Sequence, residues 1–292
     1  MTVEIHGGLS PAAIAELLGA KLFGNSSAAD AVTGVSTDSR EVLKGGMFIA
    51  IRGENFDGHR FLSMAAEKGA LCALVEYIPE NAPDMCYIVV EDTLKALGYL
   101  AKSFKSALSP LTVAVTGSVG KTTTKEFIYG VLSQRYKTLK TEANHNNHIG
   151  LPMTLLSLEK DHRAAVLEMG MSNFGEISYL SRIGAPNIAV ITNIGSSHIE
   201  NLGSREGIRN AKLEIADGMS DNGILILNGD EPLLSGIDGA YYVSMTGRRA
   251  YANVSGIVTG ENGMAFDITI GGETYESIVI PVLGEHNVLD AA

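Results

Sequence analysis

The chain has 292 residues, a formal net charge of −11 at pH 7, 45% apolar residues and 19% charged residues. This length predicts two domains, and the acidic charge argues against nonspecific nucleic-acid binding. No apolar run reaches the roughly 20 residues of a membrane span, we expect no secretory signal, and the cysteines, Cys72 and Cys86, are too few for a disulfide framework. We therefore expect a cytoplasmic protein, and we expect it to be a monomer.

The first hundred residues alternate between strand-like and helix-like segments, which predicts a small α/β domain. A short helix is expected over 11–19, where Pro stands at the start and Gly at the end. The other predicted helices cover 61–68 and 92–105, and the predicted strands cover 32–36, 47–51, 72–75 and 87–90. The break of small residues and proline at 106–110 separates a first domain, 1–108, from a second, 109–292.

A polar pentapeptide, S-T-D-S-R, lies in a predicted loop of the first domain, and G-E-N-F-D-G-H follows it at 53–59. Turn structure alone would explain the pentapeptide equally well. Its hydroxyls, carboxylate and guanidinium also suit a phosphorylated or sugar ligand. The candidate substrate-binding residues in this loop are Ser36, Thr37, Asp38, Ser39 and Arg40.

Residues 111–128 have the layout strand, glycine turn, Lys-Thr, helix, which is typical of a phosphate-binding loop. Small residues let backbone N–H groups approach phosphate oxygens at the positive end of the helix. Lys121 could reach the β- and γ-phosphates, and the Thr122 hydroxyl could ligate Mg²⁺. The general pattern has glycine where this chain has Val115, so the match is to a shorter form; the alternative is a glycine turn with a solvated lysine.

The rest of the second domain predicts a mostly parallel, doubly wound α/β sheet, because its strands are continuously apolar. The predicted strands after the phosphate loop cover 138–141, 164–168, 188–193 and 224–228, and the predicted helices cover 121–134, 175–183 and 207–219. An antiparallel meander should follow over 250–259, 264–270 and 275–282. The chain stops within an apparent helix start, G-E-H-N-V-L-D-A-A, so we expect a truncated chain or gene fragment.

Polar residues at the carboxyl ends of the strands are candidates for function, because ligands of such sheets bind at that edge. Glu168 ends one apolar strand and could supply a second Mg²⁺ contact. His198 follows the next strand and is interpreted as a metal or phosphate contact rather than a structural residue. Lys212 lies on the helix after that loop, and spacing alone favours a solvated lysine.

Several motifs in the same order resemble the Mur ligases, and the resemblance covers essentially the whole chain. They are T-G-S-V-G-K-T-T-T, N-H-N-N-H-I-G-L-P, L-E-M-G-M, T-N-I-G-S-S-H-I-E-N-L-G-S, A-K-L-E-I and G-E-H-N-V, together with S-T-D-S-R and F-D-G-H-R-F in the first domain. Within the family, E-M-G-M and N-I-G-S-S-H are more similar to the branch that adds a dipeptide than to the branch that adds the third residue.

The resemblance implies an ATP-dependent, Mg²⁺-dependent amide ligase of peptidoglycan precursor synthesis. Such an enzyme phosphorylates the terminal carboxylate of UDP-N-acetylmuramoyl-tripeptide and joins the resulting acyl phosphate to D-Ala-D-Ala. The implied nucleotide-binding residues are Thr116, Gly117, Ser118, Val119, Gly120, Lys121, Thr122, Thr123, Asn147 and Asn287.

The same resemblance implies the metal ligands and the remaining substrate contacts. Thr122 and Glu168 would hold one Mg²⁺, and His198 would help to hold a second. Lys212 matches the family lysine that is carbamylated by CO₂, which would turn it into an anionic oxygen ligand for the second metal. Lys121, Lys212 and His198 are therefore the implied catalytic residues, and Asn146 joins the substrate-binding set.

Two departures from the family pattern accompany these matches. Asp290 stands where the family usually has Asn. We expect the family's C-terminal domain, which closes over ATP in those enzymes, to be absent from this chain. The alternatives are another Mur ligase that adds a single amino acid, a small-molecule kinase, and a nucleotide-binding fragment without turnover.

Overall fold

The computed structural model describes residues 1–6, 8–24, 30–53, 55–247 and 250–292. The described chain forms two compact units, of which unit 1 comprises residues 1–110 and 142–162 and unit 2 comprises residues 111–141 and 163–292. The predicted boundary between residues 108 and 109 stays a prediction, and residues 142–162, which fall within the predicted second domain, pack with unit 1. Within the motif at 53–59, Glu54 lies outside the described residues.

Strands and helices follow one another along most of the described chain. The strands are β1 (Thr2–Glu4), β2 (Lys21–Phe23), β3 (Gly34–Ser36), β4 (Met47–Ile49), β5 (Cys72–Val75), β6 (Cys86–Val89), β7 (Leu111–Thr116), β8 (Thr138–Lys140), β9 (Ala164–Glu168), β10 (Ile188–Ile191), β11 (Ile224–Asn228), β12 (Tyr241–Ser244), β13 (Ala252–Thr259), β14 (Met264–Ile270) and β15 (Glu273–Ile280). The helices are α1 (Pro11–Leu18), α2 (Leu62–Glu67), α3 (Thr93–Leu108), α4 (Lys121–Leu132), α5 (Gly150–Leu156), α6 (Glu176–Gly184), α7 (Ile199–Leu202), α8 (Arg205–Leu213) and α9 (Glu285–Ala291). Short 3-10 helices cover Gly58–Phe61, Glu214–Gly218 and Pro232–Leu234.

Unit 1 is built on a mixed sheet whose described strands run in the order β1-β3-β4-β5-β6-β2. The central strands, β3 to β6, are parallel, and β1 and β2 pair antiparallel at the two edges. Helix α1 has the predicted ends: the Ser10 hydroxyl accepts from the Ala13 N–H at 3.2 Å, and Gly19 is left-handed with φ 59°. The predicted α/β class of the first domain is confirmed.

Unit 2 is built on one continuous sheet whose described strands run in the order β15-β14-β13-β12-β11-β10-β7-β9-β8. All pairs from β8 to β13 are parallel, and β13, β14 and β15 form the antiparallel part. The predicted parallel sheet with an appended meander is therefore confirmed. Because β9, β7 and β10 are parallel neighbours, Glu168, Thr116 and Ile191 end their strands at one edge of the sheet.

Some local features of unit 2 differ from the sequence prediction, among them a short helix, α7, in the predicted loop after β10. The helix expected over 207–219 begins earlier, at Arg205, because the Ser204 hydroxyl caps it by accepting from the Gly207 N–H at 3.1 Å, and after Leu213 it tightens into the 3-10 helix Glu214–Gly218. Strand β12 was not predicted, yet it links β11 to the meander. None of the helices in the described parts of the chain is both long enough and apolar enough to cross a membrane.

Candidate functional site

The phosphate-type loop of unit 2 connects β7 to α4 and leaves the first N–H groups of α4 without intrahelical acceptors. Gly120 occupies the N-cap position with φ 82°, and in the described structure no side chain caps the helix there. A side chain at this position would also be obstructed, since a Cβ would lie 2.5 Å from Asp290 Oδ1. Open N–H groups and the positive end of a helix fit an anion such as a polyphosphate.

The loop after β10 holds the phosphate-type loop in shape. Asn193 Oδ1 accepts from the N–H groups of Ser118 and Val119 at 3.1 and 3.0 Å, and the Gly195 N–H donates to Ser118 Oγ at 2.8 Å. Gly117 must be glycine because a Cβ there would collide with the Thr192 hydroxyl. The two loops at this sheet edge therefore form one hydrogen-bonded structure.

Lys121, the first residue of α4, folds back over the loop that precedes it. Its Nζ donates to Gly117 O at 2.8 Å and lies 3.5 Å from Ser118 O. Burial lowers the pKa of this lysine, and the negative charge of Glu168 opposes that effect. Its ammonium group is thus placed between the loop carbonyls and the carboxylate at the end of β9.

Thr122 and Glu168 are in direct contact. Thr122 Oγ1 donates to Glu168 Oε2 at 2.9 Å, and the Glu168 side chain is only 4% exposed. A hydroxyl and a carboxylate are hard oxygen donors of the kind that Mg²⁺ prefers. The donor set fits the predicted metal, although the role of these residues as ligands stays a prediction.

Lys212 is buried in unit 2, with 3% of its surface exposed. Burial lowers its pKa to about 7, and the positive charge of Lys121 adds to this effect. The expectation from spacing alone, that Lys212 is a solvated lysine, is therefore wrong. A lysine with this pKa carries a neutral amine in a large fraction of molecules at neutral pH, which suits reaction with CO₂.

His198 is exposed and left-handed, with φ 62°, at the start of α7. Among the described residues no group of at least three His, Cys, Asp or Glu side chains converges to form a metal site. Hydroxyl and carbamate oxygens can also bind a metal ion, so the metal role of His198 stays a prediction.

Asn287 and Asp290 lie on α9 in unit 2. Asn287 Nδ2 donates to Leu283 O at 2.7 Å, so its side chain stabilises the start of its own helix. The Asp290 carboxylate faces Gly120, and burial raises its pKa. The residue that departs from the family pattern therefore lies against the phosphate-type loop.

In unit 1, Ser36 is the last residue of β3, and the other four S-T-D-S-R residues form the turn that follows it. Ser36 Oγ accepts from the Asp38 N–H at 3.0 Å, and Arg40 Nε and Nη2 donate to the Asp38 carboxylate at 2.9 and 2.6 Å. The hydrogen bond from Arg40 holds the pKa of Asp38 well below its usual range. Ser39 is buried, Thr37 is half-buried and the Arg40 side chain is 77% exposed, so Arg40 is the member that solvent reaches most readily.

Residues 144–152 also belong to unit 1, where they lead into α5. Asn147 Oδ1 accepts from the N–H groups of Ile149 and Gly150 at 3.0 and 2.9 Å and so fixes the start of that helix. Asn146 is half-buried. Their nucleotide and substrate contacts stay predictions.

A second polar network in unit 1 explains the F-D-G-H motif. Asp57 accepts from the His59 backbone N–H at 3.0 Å, from His59 Nδ1 at 2.6 Å and from the Tyr77 hydroxyl at 2.7 Å. His59 is buried, and its Nε2 accepts from the Glu76 N–H at 2.9 Å. These bonds give the motif a structural role within unit 1.

Sequence reasoning missed Lys125 and Thr141. Lys125 is 2% exposed, and its Nζ donates to Thr141 O at 2.8 Å and lies 3.7 Å from Glu168 Oε2. In the sequence this lysine stands in a polar run beside a glutamate, which is typical of a solvated helix face. The sequence offered one sign that Lys125 lies near the candidate site, namely its position one helical turn after Lys121.

A cavity of about 550 Å³ lies in unit 2 between α4, α9 and one face of the sheet, and its lining includes Thr192 and Asp290 beside the phosphate-type loop. Its walls are mostly apolar and include Phe127, Val131, Val190 and Ile226. Such walls suit packed side chains rather than a polyphosphate. The phosphate-type loop is therefore the better candidate site.

Comparison with protein families matches residues 31–105 to the Mur ligase family, catalytic domain, and residues 115–292 to the Mur ligase middle domain. The chain belongs to the Mur ligase family. The chain is 45% identical over 262 residues to the UDP-N-acetylmuramoyl-tripeptide--D-alanyl-D-alanine ligase of Bacillus subtilis, a match that covers 89% of this chain and 57% of the relative. The Escherichia coli ligase of the same name is 34% identical over 288 residues, covering 95% of this chain and 62% of the relative.

Solved structures of Mur ligases have the same fold. MurF from Acinetobacter baumannii matches with a TM-score of 0.88 and 31% identity, covering 99% of this chain and 64% of that one. MurF from Thermotoga maritima in complex with ADP matches with a TM-score of 0.80 and 30% identity, covering 88% and 60%. The chain thus spans about three fifths of the length of the relatives it matches.

Proposed function

We propose that this chain is the substrate- and nucleotide-binding part of an ATP-dependent ligase that joins D-Ala-D-Ala to UDP-N-acetylmuramoyl-tripeptide. The main observation that supports this proposal is the contact of Thr122 with Glu168 beside the Lys121 loop. The relatives that the chain matches bear the name of that ligase. The ADP in the Thermotoga maritima structure supports a nucleotide as ligand. A cytoplasmic location and a monomeric state belong to the same proposal.

The chemistry requires an activated carboxylate, since carboxylates are poor electrophiles at neutral pH. The tripeptide carboxylate takes the γ-phosphoryl group of ATP, giving an acyl phosphate and ADP. The amine of D-Ala-D-Ala then attacks the acyl carbon, phosphate leaves, and an amide is formed. Catalysis of this kind rests on positioning and on neutralisation of developing charge.

The residues of unit 2 would supply that positioning. The N–H groups at the start of α4 and the Lys121 ammonium would bind phosphate oxygens, and Thr122 with Glu168 would hold Mg²⁺. Bound Mg²⁺ neutralises negative charge on the phosphates during transfer. Lys212, as a carbamate, and His198 would hold a second ion.

Formation of ADP and phosphate tests this function. The product of the complete gene should form both from ATP and UDP-N-acetylmuramoyl-tripeptide only when D-Ala-D-Ala is present. Turnover with a single amino acid in place of the dipeptide would indicate another branch of the family. ADP formation without any amine would indicate a kinase, and nucleotide binding without turnover would indicate a binding module.

A further inference from the structure

Lys125 is a cation in the interior of unit 2. Only 2% of its side chain is exposed, although a lysine is seldom buried unless it is paired. The Nζ of Lys125 donates to Thr141 O at 2.8 Å and faces two carboxylates, Glu168 Oε2 at 3.7 Å and Glu126 Oε1 at 3.2 Å. The buried ammonium is therefore compensated by a carbonyl and by two negative charges.

The two carboxylates have very different surroundings. The Glu126 side chain is 45% exposed and also binds Lys140 Nζ at 2.6 Å, so water and a second lysine already compensate its charge. The Glu168 side chain is 4% exposed. Burial would raise the pKa of Glu126, but hydrogen bonds from Lys140 and Lys125 lower it. The ammonium of Lys125 therefore acts on both carboxylates, and the exclusion of water around Glu168 strengthens that second contact despite its longer distance.

The backbone of Thr141 ties the same two residues together. Thr141 O accepts from Lys125, while Thr141 Oγ1 accepts from the Glu168 N–H at 3.0 Å. At the other side of the carboxylate, Thr122 Oγ1 donates to Glu168 Oε2. Glu168 is thereby held between the end of β8 and one face of α4, with its carboxylate at Thr122.

We propose that Lys125 is a positioning residue that holds the Glu168 carboxylate at Thr122, ready for the divalent cation. The inference rests on the proposed nucleotide site and adds a residue to it. Lys125 itself contacts neither the nucleotide nor the reacting atoms; it acts through Glu168. Partners of metal ligands commonly change metal affinity by about 10- to 100-fold when they are lost.

The test measures Mn²⁺ binding by electron paramagnetic resonance in the presence of ATP, and binding of a fluorescent ATP analogue without divalent ions. Lys125→Met keeps an unbranched side chain that is one heavy atom shorter and removes its charge. We expect Mn²⁺ affinity to fall by about 10- to 100-fold, while the affinity for the analogue without metal is unchanged. Lys140→Met is the matched control, because it removes a positive charge from the other carboxylate, Glu126, and should leave Mn²⁺ binding unchanged.

A double-mutant cycle with Glu168→Gln separates positioning from a general structural effect. If Lys125 acts through Glu168, Lys125→Met should cause no further loss of Mn²⁺ affinity in the Glu168→Gln background. The metal-free thermal midpoint should show the same coupling: Lys125→Met lowers it, and adding Glu168→Gln restores part of it by removing an uncompensated buried charge.

Each outcome decides the inference. The inference would be overturned if the two substitutions caused additive losses of Mn²⁺ affinity. It would also be overturned if neither Lys125→Met nor the double variant folded, since Lys125 would then act through Thr141 alone. A double variant that folds where Lys125→Met does not would support it. If the wild-type protein bound neither Mn²⁺ nor nucleotide, the proposed function would be wrong. The thermal midpoints measured without metal would still show whether Lys125 and Glu168 interact.

Discussion

Lys121 is the lysine that we propose to bind the phosphate groups of ATP. Its Nζ donates to Gly117 O, in the loop that precedes α4, at 2.8 Å. We predict that Lys121→Ala lowers turnover by the product of the complete gene about 100-fold or more, because such contacts are strongest in the transition state. Formation of ADP and phosphate measures the effect.

The control for this variant is Lys102→Ala, which removes an exposed lysine of α3. It should leave turnover unchanged. Lys121→Ala should also keep the thermal midpoint of the wild type, since the residue is only half-buried at the end of a helix. Near-normal turnover in Lys121→Ala would contradict the assignment of the loop.

Lys212 offers a second test at the scale of one side chain. A lysine cation would repel two Mg²⁺ ions, whereas a carbamate offers the oxygen ligands that they prefer. We predict that Lys212→Ala inactivates the enzyme and that acetate restores part of the activity by occupying the vacated space. Turnover measured over a series of acetate concentrations shows the rescue.

Lys212→Arg separates the carbamate from a plain cation. This variant fills the space with a permanent positive charge and should be inactive with or without acetate. Because Lys212 is 3% exposed, the comparison includes thermal unfolding to verify that each variant is folded. Substantial activity in Lys212→Arg would mean that no carbamate is needed.

At the scale of one element, the 3-10 helix Gly58–Phe61 depends on Asp57, whose side chain caps it. Burial would raise the pKa of Asp57, but hydrogen bonds from Tyr77 and His59 lower it from 3.8 to about 2. The folded state thus favours the ionised carboxylate, which adds to the free energy of unfolding. This contribution is complete above about pH 4 and is lost as pH falls through 2. The difference in pKa corresponds to about 2 kcal/mol.

We predict that Asp57→Asn lowers the free energy of unfolding at pH 7 by about 2 kcal/mol. The difference between wild type and variant should shrink between pH 4 and pH 2, because the wild-type carboxylate then becomes protonated. Urea unfolding over this pH range measures it, with Asp84→Asn as the control for an exposed aspartate. A difference that does not depend on pH would show that ionisation of Asp57 contributes nothing.

A fully buried strand is the clearest case of an element that the sequence pattern predicts. Strand β9 is buried at every position and was predicted with its observed ends. The missed strands β1 and β2 have only three residues each and lie at sheet edges, where partly polar sequences are tolerated. Pairing partners, rather than local pattern, make these segments strands, and one sequence does not reveal the partners.

The candidate site likewise contains residues that the sequence pattern predicts and residues that depend on tertiary contacts. Glu168 could be placed at the edge formed by the carboxyl ends of the strands, because ligands of parallel sheets bind there. The burial of Lys125 could not be predicted, because it depends on two partners that are distant in sequence. They are Thr141, which follows β8, and the carboxylate of Glu168. Likewise, the packing of residues 142–162 with unit 1 depends on tertiary contacts that no local motif encodes.

At the scale of the whole molecule, the candidate residues fall into two compact units. Arg40 lies in unit 1 with its side chain 77% exposed, while the phosphate-type loop belongs to unit 2. A guanidinium can bind a phosphorylated ligand through paired hydrogen bonds. If unit 1 binds the UDP-linked substrate and unit 2 binds ATP, loss of Arg40 should affect only one of the two substrates.

We therefore predict that Arg40→Ala raises the KM for UDP-N-acetylmuramoyl-tripeptide and leaves the KM for ATP nearly unchanged. Steady-state turnover with each substrate varied in turn measures both constants. Arg60→Ala, a change at another exposed arginine of unit 1, is the matched control and should change neither. Because Arg40 is paired with Asp38, Arg40→Lys should recover little, since an ammonium cannot reproduce the paired hydrogen bonds. An equal rise in both KM values would place the S-T-D-S-R loop at the nucleotide and would contradict the division of substrates between the units.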